Sequence, residues 1–322
     1  MFAIRKKEDN WVNLIKLLCI FIVVLGHYNY TDWNGTVWLL YIVKSAVSVM
    51  FIYSGYYLCK NKVLDDYDKT KKYLERLAVI TVVWIFLYFI RDVMQGEHTI
   101  DAVSQIFQNN MYDFTRFDSG HLWYIQNLFL AVVMMFTFRK KHFKIGQIIL
   151  LIALQKCYYW LLICALASIG IGYFLAEIEC KFDWKHFFVC LCTGIVAAVV
   201  LCGFAYGWIS APVILKEVAI ETMRYVLSAS VAVVGLSLDS VLPLNMKVTG
   251  HYIRKLSTVV YLCHNLFVQY TFQVASGHGA LWESREFFLY SVGTAIWLSV
   301  ITGIAIIIVS EIKPFRWLKR IY

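Results

Sequence analysis

Nine stretches of this chain are apolar over the length needed to cross a lipid bilayer. They lie near residues 11–29, 37–58, 77–94, 121–138, 157–176, 186–206, 217–237, 251–272 and 287–311. A spanning helix needs about 20 predominantly apolar residues, whereas a spanning strand needs about half that. Within lipid every backbone N–H and C=O must be satisfied inside the protein, so runs of this length read as helices. The expected fold class is all-α, a polytopic integral membrane protein. Charged residues make up 16% of the chain and hydrophobic residues 60%. A soluble domain carries about 25% charged residues, and a disordered chain is far less apolar. With only three prolines and few polar runs, the chain reads as one membrane domain over 1–322.

Arg5, Lys6 and Lys7 precede the first run, as the charged start of a signal peptide would. That run is too long and has no small-residue cleavage site, so it reads as a retained helix. A shorter apolar stretch, 145–155, is assigned by charge. Paired with 157–176 as two short or tilted spans, it gives about ten helices with both termini in the cytoplasm. Twenty-two of the 30 Lys and Arg residues then fall inside and five outside, while Lys16, Lys44 and Arg224 lie within helices. Cytoplasmic loops carry such an excess, so the net charge of +9 reports topology rather than nucleic-acid binding. The nine cysteines match neither a disulfide framework nor a zinc site, and no metal is expected.

Polar groups inside the apolar runs are the candidates for chemistry. Lys16 and His27 are eleven residues apart in the first run, roughly 16 Å along one helix face. An intramembrane cation costs about 2.5–3.5 kcal/mol on insertion scales and marks function by default. Lys16 either pairs with a carboxylate such as Glu221 or draws an anionic ligand from the cytoplasm. His27 is either an interfacial hydrogen-bonding residue or a general base, to which histidine is suited by a pKa near neutrality. Ser54 and Gly55 form a small pair that lets helices approach closely, and Ser54 is also placed to bond a ligand. His121 and Trp123 sit at the outer start of one run. Tyr261 and His264 share a face near the middle of another. Glu221 and Arg224 read as an internal ion pair. Six cations lie in 59–76, including Lys71, Lys72 and Arg76, and such groups suit phosphate binding. There is no Walker A loop and no GxGxxG, so nucleotide-driven transport and dinucleotide binding have no support. The outer segment 91–120 contains a candidate surface helix.

Five segments in order, NLIKLLCIFIVVLGH, SVMFIYSGYYL, YLERLAVI, HLWYI and YLCHN, resemble the membrane acyltransferase-3 family of bacterial O-acyltransferases. The first looks like the family's basic residue, ten residues, then histidine, with Lys16 where many members have arginine. The resemblance covers about 11–310. It implies a bundle in the bacterial cytoplasmic membrane that takes an acyl group, usually acetyl, from cytoplasmic acyl-CoA. The group passes to a hydroxyl on a cell-surface glycan or a lipid-linked sugar precursor. It further implies His27 as catalytic base and Lys16 oriented toward CoA. Arg76, Lys72, Lys71 and Ser54 would bind the donor, and His121, Trp123, Tyr261 and His264 would line the cavity. Membrane lipids surround such a protein, and both a monomer and a homo-oligomer fit. A similar helix pattern in the membrane part of vancomycin-resistance serine racemases gives a second reading, an amino-acid transporter.

Overall fold

The computed structural model describes residues 10–28, 37–94, 123–137, 160–178, 182–244, 249–277 and 285–320. Among them there is no strand, and the long elements are α1 (Asn10–Gly26), α2 (Val37–Lys60), α3 (Tyr67–Met94), α4 (Trp123–Thr137), α5 (Trp160–Glu177), α6 (Trp184–Ala205), α7 (Val213–Val241), α8 (Thr249–Gly277) and α9 (Arg285–Glu311). A 3-10 helix, Lys313–Arg320, follows α9. Each of the nine apolar runs falls on one of these helices. The expected span 145–155 lies outside the described residues, as does the outer segment 91–120 apart from 91–94, which end α3.

Five helices are long and apolar enough to cross a membrane by length and composition: Tyr41–Lys60, Tyr67–Arg91, Trp184–Ala205, Val213–Val241 and Tyr290–Glu311. Asn10–Gly26, Tyr124–Thr137 and Leu162–Glu177 are shorter apolar helices. The chain is thus a multi-pass membrane protein. Helix α8 falls outside both groups because it carries His251, Arg254, Lys255, His264, Asn265 and Gln269. It packs against α1 and α9.

Helix α1 packs against α2, α7, α8 and α9, which puts its side chains at the centre of the assembly. Asp239 of α7 fixes its start. The Trp11 N–H donates to Asp239 Oδ1 at 2.8 Å and the Val12 N–H to Asp239 Oδ2 at 3.0 Å. A helix leaves its first N–H groups without intrahelical partners, and a carboxylate there also complements the helix dipole. Trp11 Nε1 donates to the Leu242 carbonyl and Asn10 Nδ2 to that of Leu244, at 2.8 and 2.7 Å. One end of α1 is therefore tied to the end of α7 by four bonds.

Helices α2 and α5 form the tightest crossing. A Cβ on Gly55 would collide with the Ile169 carbonyl, and one on Gly172 with that of Ile52. Absence of side chains at both points brings the two backbones together, which is the packing read from the Ser54–Gly55 pair. The two helices run in the same direction, with Ser48 beside Cys164 and, further along both, Gly55 beside Ile169 and Tyr56 beside Gly172. Helix α4 has Tyr124 against α2 at its start and Phe136 against Tyr67 of α3 at its end.

Candidate functional site

Two polar clusters flank the axis of α1. The first surrounds Lys16. Its ammonium lies over the Tyr57 ring at 4.9 Å from the centroid and the Tyr53 ring at 5.6 Å. Tyr53 and Tyr57 are one helical turn apart on α2, so their rings form one wall. Lys60, a turn further, holds its ammonium 5.3 Å from the Tyr56 ring and 5.8 Å from Tyr57. Two ammonium groups therefore meet the Tyr57 ring, one half-buried and one exposed at the helix end. Cation–π contact holds a lysine without neutralising it and is worth about 0.5–2 kcal/mol. Glu221, offered by the sequence as a partner for Lys16, bonds Arg224 on its own helix, where the guanidinium is fully buried. The internal pair read from the sequence is thus present.

The second cluster lies where α1 ends. The helix stops at Gly26, and His27 stands in the turn just beyond, its N–H donating to the Val24 carbonyl at 3.2 Å. His27 thus lies one residue beyond the helix on which the eleven-residue spacing placed it. Its ring meets that of His264 on α8, with centroids 5.2 Å apart and planes tilted by 43°. His264 Nδ1 lies 2.6 Å from the Tyr261 carbonyl. A carbonyl only accepts, so Nδ1 carries the hydrogen and Nε2 of the neutral ring carries the lone pair. The Tyr261 ring touches His264 at 5.8 Å and Tyr124 at 5.3 Å. The Tyr124 hydroxyl then bonds Ser54 Oγ at 3.0 Å. A polar line of three ring contacts ending in one hydrogen bond thus runs from His27 through His264, Tyr261 and Tyr124 to Ser54, crossing α8, α4 and α2.

Tyr28 anchors the turn that holds His27. Its hydroxyl bonds Thr271 Oγ1 at 2.5 Å and the Ser291 carbonyl at 3.2 Å. On the α3 side Tyr88 donates to the Leu262 carbonyl at 2.9 Å, fixing α8 beside Tyr261.

The residues expected to bind the donor divide. Ser54 belongs to the polar line. Lys71, Lys72 and Arg76 are exposed on the first turns of α3, and Lys71 lies 3.9 Å from Glu75. His121 and the side chain of Trp123 lie outside the described residues. The sequence reading missed Tyr53, Tyr57 and Lys60 around Lys16, Tyr124 in the polar line, and Asp239. The i, i+4 spacing of Tyr53 and Tyr57 was the available signal for the tyrosine wall. Asp239 had none, because its partners are more than 220 positions away.

The model of the acyltransferase domain matches residues 9–310, nearly the whole chain and both clusters. The chain belongs to the acyltransferase-3 family. Comparison with curated proteins and with solved structures gave no match. An acyltransferase of this family works on an acyl donor, and both clusters lie within the matched segment. Among the described residues no group of three or more His, Cys, Asp or Glu is arranged to hold a metal ion.

Proposed function

We propose that the protein moves an acyl group, in the first instance acetyl, from cytoplasmic acyl-CoA to a hydroxyl of a cell-surface glycan or its lipid-linked precursor. It would do so in the bacterial cytoplasmic membrane, with both termini inside. The observation that carries this reading is the pair of clusters on α1. A lysine over a wall of two tyrosines lies toward the end where cations gather, and two histidine rings meet at the other end.

The chemistry follows from the two ends. The acyl-CoA phosphates are anionic, and Lys60 with Lys16 forms a cationic approach along α2 into the bundle. Lys71, Lys72 and Arg76 extend that positive surface, where lysine acts as a point charge toward phosphate. At the other end His27 takes the proton of the acceptor hydroxyl. The hydroxyl oxygen attacks the thioester carbonyl carbon, the new C–O bond forms and the C–S bond breaks. The CoA thiolate leaves and receives the proton from His27, so the products are an ester and CoA thiol. General base catalysis of this kind contributes about 10²–10⁴-fold, and holding donor and acceptor together supplies much of the rest. His264, with Nδ1–H directed at the Tyr261 carbonyl, places its ring beside His27 as an acceptor at Nε2. Ser54, Tyr124 and Tyr261 offer hydroxyls along the path of the acyl group.

Sidedness tests the reading. Purified protein is reconstituted in lipid vesicles of known orientation, with acetyl-CoA on one face and a glycan acceptor on the other. Transfer is expected only when acetyl-CoA faces the end bearing Lys60 and Lys71. Equal transfer from both faces would overturn the assignment of the two ends.

A further inference from the structure

The segment after α9 folds as a 3-10 helix over Lys313–Arg320, with the sequence KPFRWLKR. A 3-10 helix has three residues per turn, so residues three apart stand in one column. That period sorts this segment by chemistry. Lys313, Arg316 and Lys319 form a cationic column, and all three are exposed. Phe315 and Leu318 form an apolar column, with Leu318 packed against the main core. Trp317 stands between the two columns and is 56% exposed.

Glu311, the last residue of α9, pins this helix in place. Lys319 Nζ donates to Glu311 Oε2 at 2.6 Å, and Lys255 Nζ on the first turns of α8 donates to Oε1 at 3.1 Å. The helix also packs against α9 and α3. It is therefore a fixed surface element at the end of a spanning helix, at the level where lipid headgroups begin. Tryptophan favours that level, and lysine and arginine there attract anionic lipid. With Lys319 engaged by Glu311, Lys313 and Arg316 are the cations turned outward.

We propose that this 3-10 helix is a docking surface for anionic phospholipid headgroups, with Lys313 and Arg316 contacting the phosphate and Trp317 seated among the glycerol backbones. The acidic headgroup complements the cationic column, and the amphipathic arrangement is that of an interfacial helix. The acyl-transfer reading plays no part in this proposal.

The test uses the full chain in mild detergent, equilibrated with phosphatidylglycerol or phosphatidylcholine, with retained lipids counted by native mass spectrometry. Wild type is expected to retain phosphatidylglycerol in preference. Lys313→Gln with Arg316→Gln is expected to cut that preference about five-fold for each cation removed. Lys185→Gln, an exposed cation at the start of α6, is the control and is expected to leave the preference within two-fold. As a second readout, brominated phosphatidylglycerol is expected to quench wild type more than Trp317→Phe. Equal retention of the two lipids by wild type would overturn the proposal. So would a double variant no weaker than Lys185→Gln, or quenching unchanged by Trp317→Phe.

Discussion

Gly55→Ala tests the packing that holds Ser54 in the polar line. A Cβ built at Gly55 lies 2.8 Å from the Ile169 carbonyl carbon and 2.9 Å from Ile169 Cα. Carbon atoms in contact prefer about 3.5–4.0 Å, so α2 and α5 must part by roughly 1 Å at this level. The obstructing atoms are backbone, so no side chain can rotate away. Overpacking of this kind costs about 1–3 kcal/mol, and the rigidity of the contact puts Gly55→Ala in the upper half of that range. Gly172→Ala meets the same crossing from the other side, with its Cβ 2.7 Å from the Ile52 carbonyl carbon and 2.8 Å from Tyr56 N. Once the helices have parted for one methyl group, the second costs less, so the double variant is expected to lose less than the two single losses combined. The assay is thermal unfolding of purified protein in one lipid and at one scan rate, with a drop of about 2–6 °C expected for each single variant. Transfer activity should fall with it, because Ser54 and its bond to Tyr124 move with α2. An unchanged midpoint for Gly55→Ala, or strict additivity of the pair, would refute the backbone crossing.

Three further outcomes follow from the same geometry. Asp239→Ala leaves the N–H groups of Trp11 and Val12 without their acceptor, which is expected to cost about 1–3 kcal/mol and to raise hydrogen exchange along the first turn of α1. Tyr57→Leu removes the ring beneath Lys16 and is expected to raise KM for acyl-CoA about 2–10-fold with kcat little changed, as read by steady-state kinetics. Asp183 caps α6, and bonds from the His186 backbone and ring hold its carboxyl below the ordinary carboxylate range. Because the folded value is depressed, the cap's contribution is full above the unfolded pKa and is lost as pH falls through the lower folded value. Hydrogen exchange at His186, corrected for intrinsic rate, should stay slow from pH 8 to pH 5 in wild type and be fast throughout in Asp183→Ala.

The helices were legible because hydropathy is a local property, and each of the nine apolar runs needs a helix on its own account. The ends of those helices were less so. The first run was drawn to residue 29, yet the helix stops at Gly26, where the apolar residues end, and His27 meets His264 of α8. Contact between His27 and His264 joins residues 237 positions apart, and no local pattern encodes it. Glu221 and Arg224 were legible as a pair, because they lie three residues apart on one helix and the structure joins them. For Lys16 the sequence left Glu221 and an anionic ligand both open, and the tyrosine rings over which it lies come from another helix. The close approach at Gly55 was readable because glycine in an apolar helix has few other uses. Its partner Gly172 was not singled out, since nothing in either segment names the other.

The central claim is that Lys16 serves the donor and His27 the reaction. The direct measurement is binding and turnover of radiolabelled acetyl-CoA by purified protein in lipid, with wild type compared with His27→Ala and Lys16→Ala. Wild type is expected to bind and to release or transfer acetate. His27→Ala should bind with similar affinity and turn over about 10²–10⁴-fold more slowly, and Lys16→Ala should bind more weakly. A wild type without affinity for acetyl-CoA that instead exchanges an amino acid across the membrane would contradict the account.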